Sequence, residues 1–183
     1  MKLKYYPLLS LLTVMMYSTL VAQELSKTEL IFLTHQWKGE RFEDGRPKVS
    51  DALLKRMKNV SIEEAWGVLR NEGFHNQFEG NWQPLHEDVT IVGRALTAQY
   101  MPNRPDMAEQ IKKKGHERGE IGNTNAWPID RLVEHDVYVA DGFGKIIDGT
   151  LIGDNLGNSI YAKTKTGVVF NASSRDLEGL SKI

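Results

Sequence analysis

The chain has 183 residues, 40% of them hydrophobic and 26% charged, with a formal net charge of -1. That length sets an expectation of one domain, with a core large enough to hold without staples. The near-neutral charge lacks the basic excess of a nucleic-acid binder, and the absence of cysteine excludes disulfides, thiolate metal sites, a cysteine nucleophile and a lipidated N-terminal cysteine.

Residues 1–22 begin with Lys2 and Lys4, continue through an apolar run over 8–16 and reach Ala22 through small or neutral residues. This is the three-part pattern of a secretory signal peptide, and its apolar run is too short for a good membrane span. The expectation is an exported protein, periplasmic or secreted in a bacterium, with no stable membrane anchor. Residues 23–48 read as a polar N-terminal extension with a short helix or coil around 25–37. The compact domain is expected over 49–183.

Ser50 ahead of Asp51, Leu53, Leu54 and Met57 reads as a capped helix. Ser61 with Glu64 forms a capping box, and Ile62, Ala65, Trp66 and Leu69 make one apolar stripe, closed by Asn71 and Gly73. The stripe predicts a buried face with Trp66 in the core. Residues 74–84 form an aromatic loop. Residues 89–100, rich in Val, Ile and Thr, predict a central strand, broken by Pro102 and Pro105. Residues 107–118 have helical composition, and their run of Lys112, Lys113 and Lys114 reads as a solvated face. Residues 121–128 read as a loop and 129–133 as a short element.

The last third carries more pattern. Residues 137–140 alternate as a strand and close at Asp141-Gly142. The Gly-rich stretch 149–157 opens a helix through Ile160 and Ala162, and 167–172 form a short apolar strand before helix formers return at Leu177. Strand, Gly turn, helix, strand is a βαβ-like order, which predicts an α/β fold with parallel pairing.

Chemistry concentrates in Gly153-Asp154-Asn155-Leu156, followed twenty residues later by Arg175-Asp176. A Gly turn opening a helix offers unpaired N–H groups to an anion. The next strand ends at Arg175 and Asp176, beside that turn, where open α/β sheets commonly bind ligands. Arginine supplies a planar fork for a carboxylate, and two aspartates suit a hard ion such as Mg²⁺. The same residues also read blandly, with Asp154 as a helix N-cap and Arg175-Asp176 as a surface ion pair. His35, His75, His86, His116 and His135 show no metal-ligand spacing and read as surface or core residues.

These stretches resemble the RraA-like family of class II 4-hydroxy-4-methyl-2-oxoglutarate aldolases. The run His135-Asp136-Val137-Tyr138-Val139-Ala140-Asp141-Gly142 is similar to the family's G-D-V-L-V-V-D-G, and Gly153-Asp154-Asn155-Leu156 to its Gly-acidic-x-Leu turn. Residues 167–179 resemble its G-V-V-V-D-G-x-x-R-D-L-E-G, and residues 91–97 its V-x-G-R-A-x-T strand. Ser50-Asp51-Ala52-Leu53 is similar to its N-terminal helix.

The resemblance implies a β/β/α sandwich of the swivelling-domain type, assembled as a homotrimer or homohexamer. It also implies an RraA-like domain that is partial and incomplete at the C-terminus, because family members continue with further strands and an acidic residue that reaches a neighbouring subunit. The implied activity is divalent-metal-dependent cleavage or decarboxylation of a small 2-oxo acid to pyruvate, with oxaloacetate as the decarboxylation substrate. The implied cofactor is Mg²⁺, with Mn²⁺ as a substitute. By resemblance Asp176 holds the metal, Asp154 orients metal-bound water, and Arg175 grips the substrate's carboxylate or keto oxygen. Gly153, Asn155 and Leu156 bind the substrate through the turn. The family also holds regulators of ribonuclease E, so the alternative is a non-catalytic binding or regulatory protein on the same scaffold. Asn171-Ala172 stands where the family has Asp-Gly, and His135 where it has Gly.

Overall fold

The structure is a computed structural model that describes residues 25–183. The expected N-terminal leader lies outside the described residues. The elements run α1 (Lys27–Leu33), α2 (Asp51–Met57), α3 (Ile62–Asn71), β1 (Arg94–Gln99), α4 (Pro105–Glu117), α5 (Trp127–Asp130), β2 (Asp136–Ile152), α6 (Asp154–Thr164), β3 (Val168–Ser174) and α7 (Leu177–Leu180). Among the described residues, no helix is long and apolar enough to cross a membrane.

The three strands form a small open sheet in the order β1-β2-β3, parallel throughout. The expected β2–α6–β3 unit is present, with Tyr138 opposite Val168 and Ala140 opposite Phe170. Alternate residues of a strand face opposite sides. Leu96, Tyr138 and Ala140 accordingly share a buried cluster with Ile129, Leu132, Ile152, Ile160 and Leu180. This cluster holds α5, α6 and α7 against one face of the sheet and fixes the ends of β2 and β3.

Several expectations need correction. The strand expected over residues 89–100 begins only at Arg94, and it lies at the sheet edge while β2 is central. Beta propensity cannot tell an edge from a centre, because that depends on which strands pair later in the chain. The strand expected to close at Asp141-Gly142 continues to Ile152, with register shifts against β3 between Asp141 and Lys145 and again before Thr150. Left-handed backbone at Phe143, Gly144 and Asp148 absorbs the extra residues. Pro105 does not merely break a strand: it opens α4 from the first turn, where its missing N–H costs nothing.

Helix α3 forms with the predicted reciprocal cap between Ser61 and Glu64, yet it buries no residue. Trp66 is 38% exposed and Val68 is 64% exposed, so Trp66 is not a core residue. Its ring instead meets Phe78 edge-on at 6.4 Å and lies 5.5 Å from the Arg70 guanidinium. Helix α1 carries a second reciprocal cap, Ser26 with Glu29, and α2 is capped by Ser50 as expected.

The N-terminal segment is tied to the sheet by ionic contacts. Asp136, fully buried at the start of β2, accepts from Arg94 Nε at 3.2 Å and from Arg46 Nη1 at 3.0 Å. Arg94 also donates to the Val49 carbonyl, the Glu134 carbonyl and Asp51. The Phe42 ring lies 5.0 Å from the Arg46 guanidinium and 5.3 Å from that of Arg94. Gly93 and His135 meet here too. A Cβ at Gly93 would fall 2.6 Å from the His135 carbonyl oxygen, and His135 itself has a positive φ of 66°. A left-handed residue before the strand explains why glycine suits that position.

Candidate functional site

The site grows from the carboxyl ends of β2 and β3. Strand β2 ends at Ile152, and Gly153 caps α6 with extended backbone and no side-chain cap bond. Asp154 therefore occupies the first helical position rather than the N-cap. Strand β3 ends at Ser174, and Arg175 continues the pairing through its N–H to the Ile152 carbonyl at 3.1 Å. Asp176 then turns left-handed, φ 59°, to start α7. That turn brings the chain back over the mouth of α6.

The expected residues thus converge. A Cβ at Gly153 would sit 2.9 Å from Asp176 Oδ2 and 3.1 Å from Arg175 Nε, so only a bare backbone leaves those groups where they are. A Cβ at Gly179 would sit 2.9 Å from the Asp154 Cβ and 3.2 Å from its Oδ2. Gly153 thus makes room for Asp176 and Arg175, and Gly179 makes room for Asp154. Gly157, one turn further along α6, serves packing, since a Cβ there would fall 2.3 Å from Leu180 Cδ2. The role of Gly179 was missed in the sequence, although it stands in the matched L-E-G. Its signal is a small residue three positions after the Arg-Asp pair, on a helix that must pass close to α6.

Arg175 is exposed and lies 3.4 Å from its neighbour Asp176. The surface ion pair is therefore present, and it sits at the site rather than apart from it. Asp154 Oδ1 accepts from the Asn155 N–H at 2.7 Å. The Asn155 amide is thus engaged within the chain, whereas the Leu156 amide has no partner among the described residues. Asn155 itself points to solvent while Gly153 is buried and Leu156 half-buried. Among the described residues, no three Asp, Glu or His groups cluster closely enough to cage a metal. Carboxylates such as Asp176 and Asp154 are the donor type a hard ion takes while it keeps most of its waters.

Two nearby features bear on the site. Ser173 Oγ is buried without a hydrogen-bond partner. Asn171 donates through Nδ2 to Asp141 Oδ1 at 3.2 Å. An aspartate at 171 would set a second carboxylate against Asp141, so asparagine converts a repulsion into a hydrogen bond. At the next position, a Cβ on Gly142 would lie 2.7 Å from the Ala172 Cβ, so the methyl group of Ala172 fits because its neighbour has none.

The small open parallel sheet, with a Gly-acidic turn and an Arg-Asp pair at adjacent strand ends, places the protein in the α/β class. The chain belongs to the RraA-like family, described as Aldolase/RraA, whose model matches residues 46–183. It is also similar to Protein DlpA of Legionella pneumophila subsp. pneumophila strain Philadelphia 1, 32% identical over 98 residues. That match covers 54% of this chain and 14% of the relative, so the chain spans only a small part of that protein's length. No solved structure matches the chain.

Proposed function

We propose that the protein is a divalent-metal-dependent lyase that releases pyruvate from small 2-oxo acids, by aldol cleavage of 4-hydroxy-4-methyl-2-oxoglutarate or decarboxylation of oxaloacetate. The observation that carries this reading is the approach of Asp176 and Arg175 to Gly153, the residue that caps the helix opened by Asp154. Family membership supports it, because the family contains aldolases and decarboxylases as well as regulators.

In this reading Asp176 holds the cation and Asp154 orients water beside it. The cation, Mg²⁺ or Mn²⁺, supplies Lewis-acid polarisation of the substrate's keto and carboxylate oxygens. Arg175, free to swing from its exposed position, binds the substrate carboxylate or keto oxygen through its planar fork. The Leu156 amide at the mouth of α6 donates to the same carboxylate, where the helix dipole favours negative charge. In aldol cleavage the C4 hydroxyl gives its proton to water beside Asp154 as the C3–C4 electrons move onto the keto oxygen. In decarboxylation carbon dioxide leaves instead. In both, the Arg175 guanidinium stabilises the enolate until water protonates it to pyruvate. Aldol cleavage and β-decarboxylation both leave a pyruvate enolate, so one arrangement of residues serves both. We carry the homo-oligomeric assembly, the sandwich architecture and export within the same proposal.

The test is pyruvate release from each substrate with Mg²⁺ and with chelator, alongside an Asp176→Ala variant and a protein-free Mg²⁺ blank. Turnover that requires both metal and Asp176 supports the lyase. A folded protein that shows none overturns it, and leaves a binding or regulatory role on the same scaffold. That second reading draws on the exposure of Arg175, which is accessible to a partner surface as well as to a small acid.

A further inference from the structure

Strand β1 is an edge strand, and its free edge lies in a groove. The backbone N–H groups of Arg94 and Tyr100 donate toward β2, to the carbonyls of His135 and Asp141 at 3.0 Å and 2.8 Å. Backbone direction alternates along a strand, so Ala95, Thr97 and Gln99 turn their N–H and C=O groups outward. No described residue pairs with them there. Every residue from Gly93 to Arg104 lines one continuous groove, which places it along the strand's edge rather than over one face.

The opposite walls say what could fill it. Met107 and Ile111 of α4, Leu30 of α1 and Trp82 provide apolar surface. Lys112 of α4 and Arg118, which caps that helix, also line the groove and have no ion-pair partner among the described residues. The carboxylates in its lining are Asp44, which is spent on Arg46, and Asp141, which accepts from Phe143 N and Asn171 Nδ2. A chain of net charge -1 thus presents a positively charged wall facing three outward N–H and C=O pairs. The groove is separate from the candidate lyase site, since its lining contains none of Gly153, Asp154, Arg175 or Asp176.

We propose that this groove docks an extended, acidic segment of a partner polypeptide, which adds a strand to the free edge of β1. Main-chain bonds to Ala95, Thr97 and Gln99 give affinity, as in strand addition generally. Alternate side chains of the segment face the apolar wall, and its carboxylates meet Lys112 and Arg118. A polynucleotide would also answer the positive charge, but it would leave the strand edge unpaired and the apolar wall uncovered.

The experiment pans a random displayed peptide library against the folded protein and synthesises the enriched peptides. The expected peptides are acidic and lack proline at alternate positions. They bind Thr97→Pro at least tenfold more weakly and Lys112→Glu/Arg118→Glu at least threefold more weakly. Thr97→Pro removes one outward N–H at an edge position, where proline is tolerated. In the wild type, amide exchange at Ala95, Thr97 and Gln99 slows when peptide is added, a readout that stands even if Thr97→Pro fails to fold. The proposal is overturned by failure to enrich any peptide, by equal binding to a folded Thr97→Pro variant, or by unchanged exchange at the three amides. It is also overturned if those amides are already protected without peptide, or if a single-stranded oligonucleotide displaces the peptides.

Discussion

Arg94 Nε lies 3.2 Å from Asp136 Oδ1, and neither side chain reaches solvent to more than a few per cent. The residues are 42 positions apart, so this contact closes β1 onto β2 and, through Arg46, draws the N-terminal segment onto both. Asp136 also accepts from the Val133 N–H, which leaves its carboxylate fully engaged. Asp136→Ala would leave Arg46 with Asp44 and Arg94 with Asp51, but would remove the buried carboxylate that both guanidinium groups share. Breaking a buried pair from one side costs about 3–5 kcal/mol, and the partners retained by both arginines place this case toward about 3 kcal/mol. The expected result is a large fall in the urea midpoint, and an unchanged midpoint would show that the cluster is not closed in solution.

Gly153 offers a cleaner probe of the candidate site. Its φ of -123° is open to any residue, so alanine brings no backbone strain. The added Cβ instead displaces Asp176 Oδ2 and the Arg175 side chain, both able to move into solvent. Stability should fall by no more than about 1 kcal/mol, because the groups a Cβ displaces are exposed and free to shift although Gly153 itself is buried. Pyruvate release should fall at least about tenfold, a loss of about 1.4 kcal/mol in the transition state. Measuring melting temperature beside kcat/KM separates the two effects. Equal loss in both would mean that Gly153 serves packing alone.

The local signals in the sequence survived into the fold where short-range chemistry decides the outcome. Ser50, Ser61 and Glu64 cap helices because a side-chain oxygen reaches an amide three residues away. The parallel pairing of β2 and β3, and the approach of Arg175 and Asp176 to the Gly153 turn, were legible because one short helix connects the strands. What was lost depends on distant partners. The stripe of Ile62, Trp66 and Leu69 has helical spacing, but periodicity cannot supply a surface to bury it, and none of α3 is buried. Asp136 carries no sign of burial in its own neighbourhood of the sequence. It is buried because Arg46 and Arg94 converge on it from 90 and 42 residues earlier. The continuation of β2 to Ile152 carries β formers at Ile146, Ile147, Thr150 and Ile152, but Gly142, Gly144 and Gly149 and the left-handed turns interrupt the alternation that would mark one strand.

Asp51 gives a pH dependence of known sign. The hydrogen bond from Arg94 holds its carboxyl below the usual aspartate range against the opposing effect of desolvation, with the positive charges of Arg94, His135 and Lys48 adding to the lowering. A carboxyl depressed in the folded state contributes stability that is fully present above its unfolded value, about 3.9. That contribution is lost as pH falls through the lower folded value. Wild type and Asp51→Asn should therefore differ in stability at pH 6 and converge below about pH 4. Chemical denaturation across that window checks it, and a gap that widens on acidification would contradict the assignment.

The opposite end of the pH range is set by Tyr138. It is fully buried, its hydroxyl lies 2.7 Å from that of Tyr100, and burial pushes its phenol far above the ordinary range, with Tyr100 adding to the shift. A raised phenol favours the folded state only while the unfolded chain is also protonated. Stability from this group is therefore intact below about pH 10 and declines above it, by no more than about 1.4 kcal/mol per pH unit. Tyr138→Phe keeps the ring in the cluster with Leu96 and Ile160 and removes the ionisable group. Near neutral pH it should cost about 1 kcal/mol for the lost hydrogen bond. Above pH 10 the wild type should lose stability faster than the variant, narrowing and then reversing that difference. Parallel alkaline titration of the two proteins, followed by fluorescence or circular dichroism, decides it: equal slopes would mean that Tyr138 is not sequestered from solvent.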